Sequence, residues 1–241
     1  MPNNTDSFVG TKFQTLKPWV KGNNSVTPAH FYRDYKIAFN NQIFVALDIK
    51  IPLYKANTVD TSNISSVRSK NIQYIEKALE MLDMDVDDTD CPLTARQKKD
   101  VLEVCGEPPT SSYNLYFITI QKDDYEQLVY IGKTDSQDSR FKNGHLAALK
   151  LHDPKYSQYE KYVYFGTITF MTNLNEYLPL ECICDTDWSA YLLDDLERVL
   201  IRKLDPVLNT KHDESRIIEK EEYVICIENK TGSNFLNITI D

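Results

Sequence analysis

One carboxylate stands in the middle of an apolar helix face. In the stretch DWSAYLLDDLERVLIRKL (187–204), Glu197 falls between Leu193 and Ile201, with Leu200 and Leu204 bordering the same side. Turning by about 100° per residue puts Asp194, Asp195, Arg198 and Arg202 on the other side. A bare buried carboxylate is costly, so the fold must bring a cation, a metal or water to Glu197. The pattern leaves three readings open: an ion pair with a buried Arg, a place at the rim of the core, or a metal-binding or catalytic role.

A second group lies upstream. In extended chain, Tyr116 shares a face with Ile118 and Ile120, and Tyr130 shares one with Gly132. A strand glycine often marks close approach by another group. Two tyrosines beside it can aim hydroxyls at one anion, although tyrosine is also an ordinary strand former and the chain has 15 of them. Lys133, Arg140, Lys142 and His145 follow. The segment Lys133–Lys161 carries six Lys/Arg against four Asp/Glu, a local excess of cations in an acidic chain. Arg suits a phosphate clamp through its planar fork, and a solvated helix face reads the same way.

The elements that must position these residues are legible as pattern. YNLYFITI (113–120) and LVYIGK (128–133) predict two strands around a polar turn. A helix is predicted over 139–151, a third strand over 161–170, the long helix over 187–204 ended by Asp205-Pro206, and a last strand over 222–228. Upstream, 35–54 reads as a hairpin or strand pair with Asn40-Asn41 in its middle. Helices are predicted from about Val67 to Met84 and from the capping box Thr94-Ala-Arg-Gln97 to about Cys105. The Gly106–Ser112 segment reads as a linker, and residues 1–25 as a loosely ordered arm. The expected fold class is α+β: a small mixed sheet with an antiparallel hairpin flanked by helices at 111–241, plus an N-terminal α/β accessory region at 1–110.

Strung together, these residues resemble the GIY-YIG nuclease family. The second motif is intact as Tyr130-Ile131-Gly132. The first is altered to Asn114-Leu115-Tyr116, which keeps the tyrosine. Arg140, His145, Glu197 and Asn209 follow in the family's order. The resemblance covers a core of about 114–210. Two departures stand out. Asn114 replaces the motif glycine, and Arg140 and His145 are five apart, which on an ideal helix sets them about 140° from each other.

The resemblance implies a metal-dependent endonuclease acting on double-stranded DNA, most like the stand-alone restriction enzymes of the family. Glu197 would hold one Mg²⁺ or Mn²⁺, an ion that keeps several waters and needs few carboxylates. Tyr116 would be the general base for the attacking water. A phenol with a pKa near 10 is a poor base at neutral pH without help, and Lys133 and His145 are the neighbours able to give it. Arg140 would stabilise the phosphate charge, Tyr130 would hydrogen-bond phosphate or water, and Asn209 would brace the site. Cutting both strands with one site per chain calls for a homodimer on the DNA or for sequential nicking. The N-terminal 110 residues would choose the target, with Arg68, Lys70, Arg96, Lys98 and Lys99 as candidate DNA contacts. The other reading is a decayed nuclease fold that binds nucleic acid or protein without cutting; the altered first motif favours it.

The 241 residues carry a net charge of −9, split as −1 over residues 1–110 and −8 over 111–241. Seven acids and no Lys/Arg occupy Glu176 to Glu197. That balance argues against promiscuous polyanion binding, because phosphate affinity comes from cationic surface. There is no apolar run of membrane-spanning length and no signal-peptide pattern at the start. Five scattered cysteines fit reduced thiols. The expected location is the cytoplasm.

Overall fold

The computed structural model describes residues 13–22, 26–32, 39–90, 92–134, 141, 145–172, 177–183, 186–210, 218 and 222–241. The class is α+β. Helices α1 (Lys17–Lys21) and α2 (Ala29–Tyr32) precede strand β1 (Phe39–Pro52) and a 3-10 helix at Leu53–Thr58. Helices α3 (Ile64–Leu82) and α4 (Ala95–Cys105) follow. Then come β2 (Leu115–Lys122), β3 (Tyr125–Lys133), α5 (Leu146–Lys150), β4 (Glu160–Thr172), β5 (Tyr177–Pro179), a 3-10 turn at Leu180–Cys182, α6 (Thr186–Leu204), β6 (Val224–Asn229) and β7 (Ile238–Ile240).

The strands make one mixed sheet in the order β3-β2-β4-β1-β6-β7, with β5 paired to β4 beyond the end of β2. β2 runs antiparallel to both β3 and β4, β1 antiparallel to β4, and β1 parallel to β6. Alternation of side chains divides the core in two. Leu115, Phe117 and Ile131 face α6, whose Leu192, Leu196, Val199 and Leu200 cover them. Tyr116, Ile118 and Val129 face the other way, toward α5 and the 3-10 helix at Leu53–Thr58. A third apolar cluster joins α1, α3 and α4 to Leu178 and Cys182.

Several expectations change. Residues 39–52 form one 14-residue strand and not a hairpin. Asn40-Asn41 has no glycine to turn on, and β1 has a partner on each side, so extending it satisfies both rows of backbone groups. The sheet therefore crosses the expected boundary at residue 110, because β1 from the N-terminal half lies between β4 and β6. Strand β7 had no signal beyond three alternating residues. The described helix after the hairpin is the short α5, and most of the expected 139–145 portion lies outside the described residues. On α6, Asp195 is buried at 3% exposure and accepts a hydrogen bond from Ile218 N–H at 2.9 Å. Glu197 is only half-buried. The apolar face is thus rotated from the expected one, toward Asp195.

Arg68, expected at a nucleic-acid surface, is internal. Its guanidinium donates to the backbone carbonyls of Glu181 at 3.0 Å and Ile183 at 2.8 Å, and also to that of Phe31. Lys98 donates to Gly22 O at 2.6 Å. Among the described residues no helix is long and apolar enough to cross a membrane.

The same junction holds Glu181, fully buried, with Oε1 accepting from Thr15 Oγ1 at 3.0 Å. Burial pushes its carboxyl up to about 7. Hydrogen bonds from Thr15 and from the backbone at Glu181 and Ser112 offset only part of this. Below the ordinary carboxylate range both folded and unfolded chains hold the proton. Between that range and about pH 7 only the unfolded chain releases it, so stability falls as pH rises and the loss is complete above 7. The shift corresponds to about 3 kcal/mol. Urea unfolding at pH 5 and pH 8 should show that loss in the wild type, and Glu181→Gln should remove most of it.

Candidate active site

The hairpin β2–β3 sets Tyr116 directly opposite Gly132. That pairing explains the glycine. A Cβ at position 132 would overlap the Tyr116 hydroxyl, so only a bare α-carbon lets the phenol lie flat across β3. Tyr116 is fully buried, and its ring stacks on that of Tyr130 with centroids 6.0 Å apart. Its Oη shares a 2.7 Å hydrogen bond with His145 Nε2.

His145 is held by aromatic rings. Phe141 stacks on it at 5.1 Å, and Tyr130 meets it edge-on at 5.1 Å. The awkward five-residue spacing from Arg140 is resolved at the backbone. His145 is the N-cap of α5, with extended φ −107° and ψ 125°, so the helix begins after Gly144 and helical phase does not govern position 145. Arg140 and Lys142 lie outside the described residues.

Lys133 does not join this cluster. It lies on the α6 side of β3, in an ion pair with Asp194. Of the two neighbours able to assist a phenol, the structure brings His145 to Tyr116. Glu197 follows Asp194 by one turn on α6, which packs on the face of the sheet opposite Tyr116. α6 and the tyrosine–histidine pair therefore lie on opposite faces of the sheet. A half-buried carboxylate fits a hydrated Mg²⁺ or Mn²⁺, which takes one or two protein oxygens and keeps its water. Among the described residues no three His, Cys, Asp or Glu side chains cluster as a metal site.

Asn209 pins that edge. Its Oδ1 accepts from Ile131 N–H at 2.8 Å, and its Nδ2 donates to Ile131 O at 2.8 Å. Leu208 N–H donates to Val129 O at 2.9 Å. The loop after α6 therefore serves as a partner for β3, closing backbone groups that an edge strand would leave open. Asn114 is also accounted for. It is buried, its backbone N–H donates to Gly166 O at 2.9 Å, its Oδ1 accepts from Ile168 N–H at 2.8 Å, and its Nδ2 donates to Ser112 Oγ at 2.8 Å. The Asn114 side chain thus ties the start of β2 to β4.

A concavity of about 200 Å³ opens beside His145, lined also by Asn57, Phe141 and Leu149, and a second of about 500 Å³ adjoins it, lined by Pro52, Leu151, Glu160, Lys161 and Tyr162. Leu53, Tyr54, Ala148 and His152 line both. Sequence reading missed Phe141, Tyr54 and Asp194. Phe141 gave one signal, an aromatic between two cations. Tyr54 gave none, since it belongs to the site only through the 3-10 helix that follows β1. No protein-family model, curated protein or solved structure matches the chain.

Gly132→Ala should displace Tyr116 and cost about 1–3 kcal/mol, the usual cost of overpacking, measured by chemical denaturation. Asn209→Ala leaves the Ile131 N–H and C=O unpaired. It should cost about 1–3 kcal/mol and speed hydrogen exchange at the Ile131 amide.

Proposed function

We propose that the chain is a divalent-metal-dependent endonuclease of GIY-YIG type that hydrolyses DNA phosphodiester bonds, of the restriction or defence kind. The observation that carries the reading is the buried Tyr116–His145 hydrogen bond, formed across a glycine that has to be a glycine. A tyrosine acts as a base only if its own proton has somewhere to go. With the imidazole protonated on Nδ1, the phenol donates to Nε2 and can pass its proton there; because the hydroxyl is fully buried, it takes one from the attacking water once substrate binding exposes it. The water oxygen then bonds to phosphorus, and the P–O bond to the leaving oxygen breaks.

Other residues complete the reading. Tyr130, half-buried beside His145, hydrogen-bonds phosphate or water. Arg140 holds the scissile phosphate and offsets the charge that grows on it. Glu197 binds the Mg²⁺ or Mn²⁺, which when present supplies positive charge to the phosphate oxygens. Lys133, tied to Asp194, holds α6 against β3 and so sets the distance between Glu197 and the tyrosines. Asn209 fixes β3 in register. A dimer, or two successive nicks, cuts a duplex.

Purified protein incubated with plasmid and phage DNA in Mg²⁺ should give discrete ends. Glu197→Ala and Arg140→Ala should abolish cutting, and Tyr116→Phe should slow it by about 10²–10⁴-fold. Full cleavage by Glu197→Ala would falsify the mechanism. DNA bound but left intact in every divalent metal would assign the chain to the decayed, binding-only class.

A further inference from the structure

The two adjoining concavities form one groove, because they share Leu53, Tyr54, Ala148 and His152. It runs between the 3-10 helix at Leu53–Thr58 and α5. One end is at Phe141 and His145, and the other is at Lys161 and Tyr162. Nothing in the reading above uses it beyond the His145 end.

Its make-up is specific. Floor and walls are apolar: Pro52, Leu53, Ala148, Leu151. At the mouth, Tyr54 is 80% exposed, and Leu149 beside it is 61% exposed. A large ring held out in water on a short, well-formed turn gains nothing from burial in this fold. Lys55 Nζ lies over that ring, 5.9 Å from its centroid. Lys161 lines the far end beside one acid, Glu160, which accepts from Tyr162 Oη at 2.7 Å. Two cations, Lys55 and Lys161, thus lie at an aromatic platform next to the phenol–imidazole pair. Aromatic faces that stack bases, with cations tracking the backbone, are how proteins hold unpaired nucleic-acid strands.

We propose that this groove seats an unstacked base of the substrate strand, from a nucleotide flanking the scissile phosphate, with Tyr54 stacking on the base and Lys55 and Lys161 pairing with neighbouring phosphates. The larger concavity, about 500 Å³, falls in the ordinary range for a small-ligand pocket and accommodates one nucleotide. The proposal rests on the nuclease reading for its placement, but its occupant can be tested apart from cleavage.

The test uses the full chain in EDTA, so that no strand is cut. Fluorescence anisotropy compares a labelled thymidine oligonucleotide of about a dozen nucleotides with an all-abasic strand of the same length, which has the same phosphates and no bases. The wild type should bind the thymidine strand about tenfold more tightly. Tyr54→Ala should erase that preference and Tyr54→Trp should keep it. Lys161→Ala should weaken both strands and flatten the salt dependence. Equal binding of the two strands by the wild type, or a preference that survives Tyr54→Ala, overturns the groove. So does a shift from dimer to monomer in sedimentation on Tyr54→Ala, which would give this face to a second copy of the chain. The two readings fail separately. Glu197-dependent cleavage without base preference removes only the groove. Base-dependent binding lost in Tyr54→Ala, with no cleavage in any metal, removes only the nuclease.

Discussion

A phenol and an imidazole share a hydrogen bond inside an aromatic cluster, and much of the local architecture follows from it. Tyr116 points across β3 and not along it, which requires a residue without a side chain directly opposite. Gly132 is that residue. The imidazole is then brought to the phenol by the residue that precedes α5. His145 arrives as an N-cap, its ring fixed between Phe141 and Tyr130. In such surroundings an unpaired phenol or imidazole is expensive, so each group answers the other's desolvation. Aromatic rings of Tyr130, Phe141 and Phe165 hold the pair in place.

That context depends on an edge strand staying in place. β3 is the outermost strand of the sheet, and it carries Tyr130, Gly132 and Lys133. An edge strand slips or frays unless something completes its hydrogen bonds. Here Asn209 and Leu208 do so from the loop after α6, and Lys133–Asp194 ties the helix body to the same strand. One helix and its trailing loop therefore set the register of the tyrosines and the position of Glu197 together. A small shift of α6 would move both halves of the candidate site.

The sequence was informative where a local rule acted alone. The capping box at Thr94, the β2–β3 hairpin and the long helix at 186–204 follow from spacing, and the structure has them within a few residues. Long-range pairing was not legible. β1 reads locally as a hairpin because its central role depends on β4 and β6, which are more than a hundred residues away. A lone carboxylate in apolar surroundings picks out Glu197 in the sequence, yet Glu197 is half-buried, and among the described residues Asp195 and Glu181 are the buried carboxylates. Glu181 carries the same signal in Leu178-Pro-Leu-Glu-Cys-Ile183, but that segment has no helical period to draw attention to it.

The N-terminal half takes its meaning from the same geometry. β1 is a central strand, so residues upstream of the hairpin are part of the platform that holds the tyrosines. The first residues after β1 fold back as the 3-10 helix that walls the groove beside His145. Arg68, which by position looked available to a nucleic-acid backbone, instead donates to three carbonyls and locks α3 onto the turn before α6. A guanidinium so engaged has little left to offer a phosphate.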